Sequence, residues 1–236
     1  MKAHRQIYPD NPAVARAIAQ QLPEWLPKSG PMRLAISGGS TPKLLFELLA
    51  TEFKEALDWS RLHLFWVDER CVPPDHAQSN YRMTREALLD QVPIPAEQIH
   101  RMQGESAPEA EADRYGKGLA EQLPQANGLP VFDLILLGMG SDGHTASIFP
   151  PQMELLTDAR NCAVGTHPES GQQRITLTGP VIQAAKRVAF LVTGASKTEV
   201  VAEIFEQTGN WQSYPAAHIA PAGELHWFLD EAAAGA

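Results

Sequence analysis

Cysteine is almost missing from this chain: Cys71 and Cys162 are the only two in 236 residues. Two thiols cannot form a disulfide framework, and neither sits in a Cys-x-x-Cys pair of the kind that holds zinc. The eight histidines are dispersed, with no His-x-x-x-His spacing, so no metal site is expected. Long apolar runs are missing too. The longest uninterrupted one is Val188–Val192, far short of the roughly 20 residues a membrane helix needs. The first residues carry no apolar signal-peptide core and soon meet Pro9 and Pro12. Basic charge is in deficit, with 19 Lys and Arg against 28 Asp and Glu, a net charge of −9. That balance disfavours nucleic acid and anionic membranes as partners, because both attract Lys and Arg. It leaves room for a small anion in a local basic pocket. A hydrophobic content of 44% supplies a real core and excludes disorder. The expectation is a disulfide-free cytoplasmic protein.

Short apolar segments alternate with helical patterns along nearly the whole chain. Leu34–Ile36, Leu62–Val67, Phe132–Leu137 and Val188–Val192 read as strands. Lys43–Ala50, Tyr81–Leu89, Pro108–Leu123 and Lys197–Gln207 read as helices, with Ser79 or Asn80 placed to cap the second. Such alternation predicts an α/β fold: an open, mostly parallel, doubly wound sheet with helices on both faces. No repeat or linker-like shift in composition divides the sequence, so residues 1–236 read as one domain. The prolines at 73–74, 93–95 and 150–151 read as loop punctuation.

Ligands of open α/β sheets bind outside the carboxyl ends of the strands. All four strands here end in small or ionisable residues: Ser37-Gly38-Gly39-Ser40-Thr41-Pro42, Asp68-Glu69-Arg70, Gly138 through His144, and Thr193 through Lys197. The first combines adjacent glycines, two hydroxyls and a helix start, which suits an anion as well as an ordinary capped turn. It lacks the Gly-Lys-Ser/Thr ending of a Walker motif. Lys197 at a helix start is unfavourable beside the helix dipole, unless an anion shares the place; the alternative is a solvated lysine behind a Ser196 cap. Gly138–Gly143 matches Gly-x-Gly-x-x-Gly, but Pro150-Pro151 leaves no room for the long helix a dinucleotide site requires. Nor does a Gly-x-Ser-x-Gly elbow occur. His144 follows this Gly-rich turn two residues after Asp142, a spacing suited to a base oriented by a carboxylate. Asp142 is equally placed to cap a short helix over Thr145–Ile148.

Taken together, SGGSTP at 37–42, DER at 68–70 with Ser79-Asn80 beyond it, and GMGSDGHTASIFP at 138–150 resemble the 6-phosphogluconolactonases. Arg174, GASK at 194–197 and Leu225-His226-Trp227 extend the likeness over most of the chain. The resemblance implies hydrolysis of 6-phospho-D-glucono-1,5-lactone, with no metal or organic cofactor and a sugar phosphate lactone as the only partner beyond, at most, weak self-association. It implies a phosphate held by Gly38, Gly39, Ser40, Thr41, Arg174 and Lys197. It further implies His144 as general base, with Asp142 beside it, Arg70 and a backbone N–H of the 138–143 turn as partners for the oxyanion or the sugar hydroxyls, and Asp68 and Gly143 among the substrate-binding residues.

Two other readings share some of these features. The family is similar in fold to the glucosamine-6-phosphate deaminases, whose string after Asp-Gly-His resembles one ending in Glu-Pro. Phe149 stands before Pro150 here, and an aromatic side chain cannot shuttle protons. A sugar-phosphate sensor attached to a DNA-binding module is the other. Only about thirty residues precede the first motif, too few for such a module and a linker.

Overall fold

The computed structural model describes residues 3–236. In chain order its first strands are β1 (His4–Tyr8), β2 (Met32–Ile36), β3 (Leu62–Trp66), β4 (Asp68–Arg70) and β5 (Ile99–His100). There follow β6 (Gln125–Ala126), β7 (Leu129–Pro130), β8 (Leu134–Leu137), β9 (Cys162–Thr166), β10 (Gln173–Leu177), β11 (Arg187–Val192) and β12 (Glu224–Asp230). The helices are α1 (Asn11–Trp25), α2 (Ser40–Ala50), α3 (Asn80–Thr84), α4 (Pro108–Gln122), α5 (Gly179–Gln183), α6 (Thr198–Glu206) and α7 (Glu231–Ala234).

Seven strands form the main sheet in the order β1-β12-β11-β8-β2-β3-β5, and every neighbouring pair is parallel. From β1 through β2 and β3 to β5 the chain steps toward one edge. From β5 through β8 and β11 to β12 it steps back toward the other. Right-handed crossovers therefore put α1, α2 and α3 on one face and α4, α5 and α6 on the other. Side-chain packing agrees: Phe228 meets Trp25 of α1, whereas its neighbour Trp227 meets Phe205 of α6. The central strand Leu-Ile-Leu-Leu of β8 is buried throughout, as a strand covered on both faces must be. The direction of travel reverses between β2 and β8, and the crevice at such a reversal lies outside their carboxyl ends.

Several local expectations change. Asp68–Arg70, read as the start of a loop, is a strand that pairs with β10 in a three-stranded antiparallel sheet, β4-β10-β9. The helix expected over 81–89 is α-helical only to Thr84 and continues as a π-helical turn, Arg85–Leu89. The helix expected from Lys197 begins at Thr198, after a 3₁₀ turn at Ala195–Lys197. No helix forms over Thr145–Ile148. A tight turn closed by Ile148 N–H donating to the Thr145 carbonyl at 2.9 Å takes its place, with Ala146 left-handed at φ 51°. The edge strand β1, helix α1, β9, β10 and the closing strand β12 had no strong pattern of their own and emerge only in the fold. No helix among the described residues is long and apolar enough to cross a membrane.

Candidate active site

The carboxyl ends of β2, β3, β8 and β11 converge on one cleft of about 280 Å³. That is near the lower end of ligand pockets, roughly 300–1,000 Å³, and suits a single small metabolite. The β2–α2 turn forms one wall. Ser37 Oγ donates to the Leu136 carbonyl at 2.9 Å, locking this turn to β8. Beyond it, α2 begins at Ser40 and presents the unpaired N–H groups of its first turn to the cleft. Thr41 Oγ1 lies 2.8 Å from Thr193 Oγ1, which ties α2 to the end of β11. Gly38 has no side chain because Asn80 occupies the space its Cβ would take.

Two arginines line the same cleft. Arg70 of β4 and Arg174 of β10 are direct partners across the antiparallel ladder. Like charges so placed repel each other, and neither forms an ion pair among the described residues. Both have a buried Nε without a hydrogen-bond partner. Burial lowers the Arg174 pKa from its ordinary value and the charge of Arg70 lowers it further, against the pull of Asp68, Asp142 and Glu69. Lys197 is a third cation at the cleft, its pKa lowered by burial and partly restored by Asp142. Its loop is fixed by Gly194 N–H, which donates to both oxygens of Asp230 at 2.9 and 3.0 Å.

Among the described residues, Asp68 is the one carboxylate lining the cleft. It accepts from Ser147 Oγ at 2.8 Å, and Asn80 Nδ2 donates to its carbonyl at 3.0 Å. Glu69 turns the other way, as strand alternation requires. It is buried and accepts from Ser79 Oγ and from the N–H groups of Arg70, Asn80 and Tyr81, anchoring the start of α3. The acidic-basic triplet thus divides into two cleft residues and one anchor.

His144 lines the cleft beside these cations. Its Nδ1 lies 2.6 Å from Asp142 Oδ1, and its backbone N–H donates to the same oxygen at 3.1 Å. Asp142 therefore orients the imidazole; it caps no helix. Burial works to raise the Asp142 pKa, but the hydrogen bonds and charge of His144 outweigh it and the net shift is downward. With Nδ1 engaged, Nε2 has no partner among the described residues. Gly140 makes the pair possible, since a Cβ there would land on both the imidazole and the carboxylate. Its N–H donates to the His144 carbonyl at 2.9 Å, closing the turn.

Gly38, Gly39, Ser40, Thr41, Asp68, Arg70, His144, Arg174 and Lys197 all line the cleft, and Asp142 stands directly behind His144. Gly143 is the exception. It faces Tyr214, whose ring fills the place of its missing side chain, and its carbonyl accepts from Ala216 N–H at 3.0 Å. At φ 78° it shapes the turn rather than touching the cleft. Asn80 and Thr193 also line the cleft, though in the sequence they stood only as a possible cap beside the Asp-Glu-Arg segment and as the first residue after a strand; Ala146 joins them. Asn80 was masked by its place beside a helix cap, and Ala146 carries no chemical signal at all. Both cysteines are free; burial pushes the Cys71 thiol up to about 11 and that of Cys162 higher still, far from a reactive thiolate.

The fold and cleft together define the class: an open parallel α/β protein with its polar crevice at the strand-order switch point. Residues 11–227 match the family model described as glucosamine-6-phosphate isomerases/6-phosphogluconolactonase. The chain is 46% identical over 219 residues to the 6-phosphogluconolactonase of Haemophilus influenzae, covering 92% of each chain. With that of Treponema pallidum it shares 45% over 204 residues, 86% of this chain and 84% of the other. It superposes on the 6-phosphogluconolactonase from Trypanosoma brucei with a TM-score of 0.83 at 33% identity, covering 99% of this chain and 98% of that one. A monomeric glucosamine-6-phosphate deaminase shares the fold at 18% identity, with a TM-score of 0.82 over 98% of this chain and 99% of that one. The chain belongs to the glucosamine-6-phosphate isomerase/6-phosphogluconolactonase family.

Proposed function

We propose that this chain hydrolyses 6-phospho-D-glucono-1,5-lactone to 6-phospho-D-gluconate in the pentose phosphate pathway. The observation that carries the reading is the arginine couple, Arg70 and Arg174, which has no carboxylate partner among the described residues and lines one cleft with the N-terminus of α2 and His144, itself paired with Asp142. Adjacent cations without a carboxylate partner suit an anion that neutralises them. The names of the relatives supply which anion.

In this reading the substrate phosphate rests against the N–H groups of Gly38 to Thr41, Arg174 and Lys197. Asp68 accepts a hydroxyl of the sugar. His144 Nε2 takes a proton from water as the water oxygen bonds to the lactone carbonyl carbon. Asp142, ionised at neutral pH, holds the imidazole in the tautomer with Nε2 free and favours the imidazolium that forms. Arg70 faces the oxyanion, because the N–H groups of Gly140 and Gly143 are already committed within the turn. Collapse of the intermediate breaks the bond to the ring oxygen, which leaves as the 5-hydroxyl after taking the proton back from His144. The acid product then loses its own proton to solvent. No step calls for a metal or organic cofactor. We further propose that residues 1–236 act as one domain, a monomer or weak homo-oligomer, in the cytoplasm. His144→Asn tests the mechanism: near wild-type turnover contradicts it.

The deaminase reading asks for a second carboxylate beside the histidine. Phe149, buried and apolar, stands where that string carries Glu. Ammonia release from glucosamine 6-phosphate is therefore expected to be absent.

A further inference from the structure

Phe149 is fully buried and lies outside the cleft lining, yet its ring touches both functional ends of the cleft. The His144 imidazole packs against it with ring centroids 4.8 Å apart, tilted at 45°. The Arg174 guanidinium carbon sits 5.4 Å from the centroid of the same ring. His167, from the loop between β9 and β10, meets it edge-on at 5.2 Å and 70°. The left-handed turn at Ala146 reverses the chain so that Phe149 returns beneath His144.

We propose that Phe149 is a positioning residue that holds His144 and Arg174 in one arrangement, coupling the base to the anion-binding cation. The proposal rests on the lactonase reading above. A guanidinium can be held by a carboxylate or by an aromatic face. A carboxylate would neutralise Arg174 and occupy its donors; an aromatic face attracts the cation and leaves charge and donors for the ligand. On its other contact the ring supports His144 from a side that Asp142 does not reach. Asp142 fixes Nδ1, while the phenyl ring restricts rotation and tilt, which together aim Nε2.

The test is a double-mutant cycle. Phe149→Leu keeps an apolar side chain but removes the π face; Phe149→Met carries the same comparison if the leucine variant fails to fold, as judged by its circular dichroism melt. Two quantities are read: turnover of the lactone, and Kd for 6-phosphogluconate by calorimetry. Phe149→Leu is expected to weaken 6-phosphogluconate by roughly 3- to 30-fold, the range of a cation–π contact, and to lower kcat by about tenfold. In an Arg174→Met background the same change should alter Kd by less than about twofold, because the cation it supports is gone. A Phe149→Leu protein that matches wild type in both quantities overturns the proposal. So does a Kd penalty that persists undiminished beside Arg174→Met, since that is how a merely structural residue behaves. A wild-type chain without lactonase activity overturns the functional reading instead, and the two failures are thus distinguishable.

Discussion

At the scale of single residues, the chemistry depends on which side of a strand or turn each side chain leaves. His144 stood out after its Gly-rich turn, but the spacing left Asp142 open between orienting it and capping a helix, and only the folded turn, which brings Nδ1 to 2.6 Å from the carboxylate, separates the two. His144→Asn should lower kcat by about 10² to 10⁴, the usual contribution of a general base, with little change in 6-phosphogluconate binding; stopped assays and calorimetry check the two halves. Arg174→Met should do the reverse, weakening binding by roughly tenfold or more with a smaller effect on kcat. The pairing of Arg70 with Arg174 was not legible. It depends on an antiparallel register between segments far apart in sequence, and β4 is only three residues long. Glu69 likewise carried the same apparent signal as its neighbours, and only alternation along β4 turned it into an anchor for α3.

At the scale of elements, turns set the geometry that side chains use. Gly140→Ala should displace the imidazole from Asp142, cutting kcat by tenfold or more while the melting temperature moves little, because the turn lies at the surface of the sheet rather than in its core. Equal activity in that variant would mean the pair is not needed. A different element carries a pH effect. His100 of β5 stacks on Phe65 at 4.3 Å, and His63 Nδ1 lies 3.2 Å from its Nε2. Burial, and then the neighbouring His63, lower the His100 pKa from 6.5 to about 4. The folded protein therefore holds fewer protons than the unfolded chain between those values, and stability declines as pH falls from 6.5 toward 4. His100→Phe keeps the ring against Phe65 and removes the titration. Its melting temperature should vary less over that window; an unchanged slope would exclude His100 as the cause. Helix ends were less legible than helix existence: the π-helical turn at Arg85–Leu89 packs against α2, a contact that no local pattern encodes.

At the scale of the whole molecule, the alternation of strand and helix announced the parallel sheet, and the four strand ends announced where the cleft would be. That much is written locally, since a buried parallel strand must be apolar and must stop where polar loops begin. The edge strand β1 and the closing strand β12 were not written that way. β12 lies between β1 and β11, partners from opposite ends of the chain, so its place depends on contacts remote in sequence. One core cluster runs from Val14 to Ala233, so urea unfolding followed by tryptophan fluorescence and by circular dichroism should give one coincident transition. Two separated transitions would contradict a single domain. Freshly generated 6-phosphogluconolactone, followed by coupled oxidation of 6-phosphogluconate with the spontaneous rate subtracted, measures the reaction directly. Rapid hydrolysis by the wild-type chain that collapses in His144→Asn is the expected result; hydrolysis no faster than the spontaneous rate would contradict the assignment of lactonase activity to this cleft.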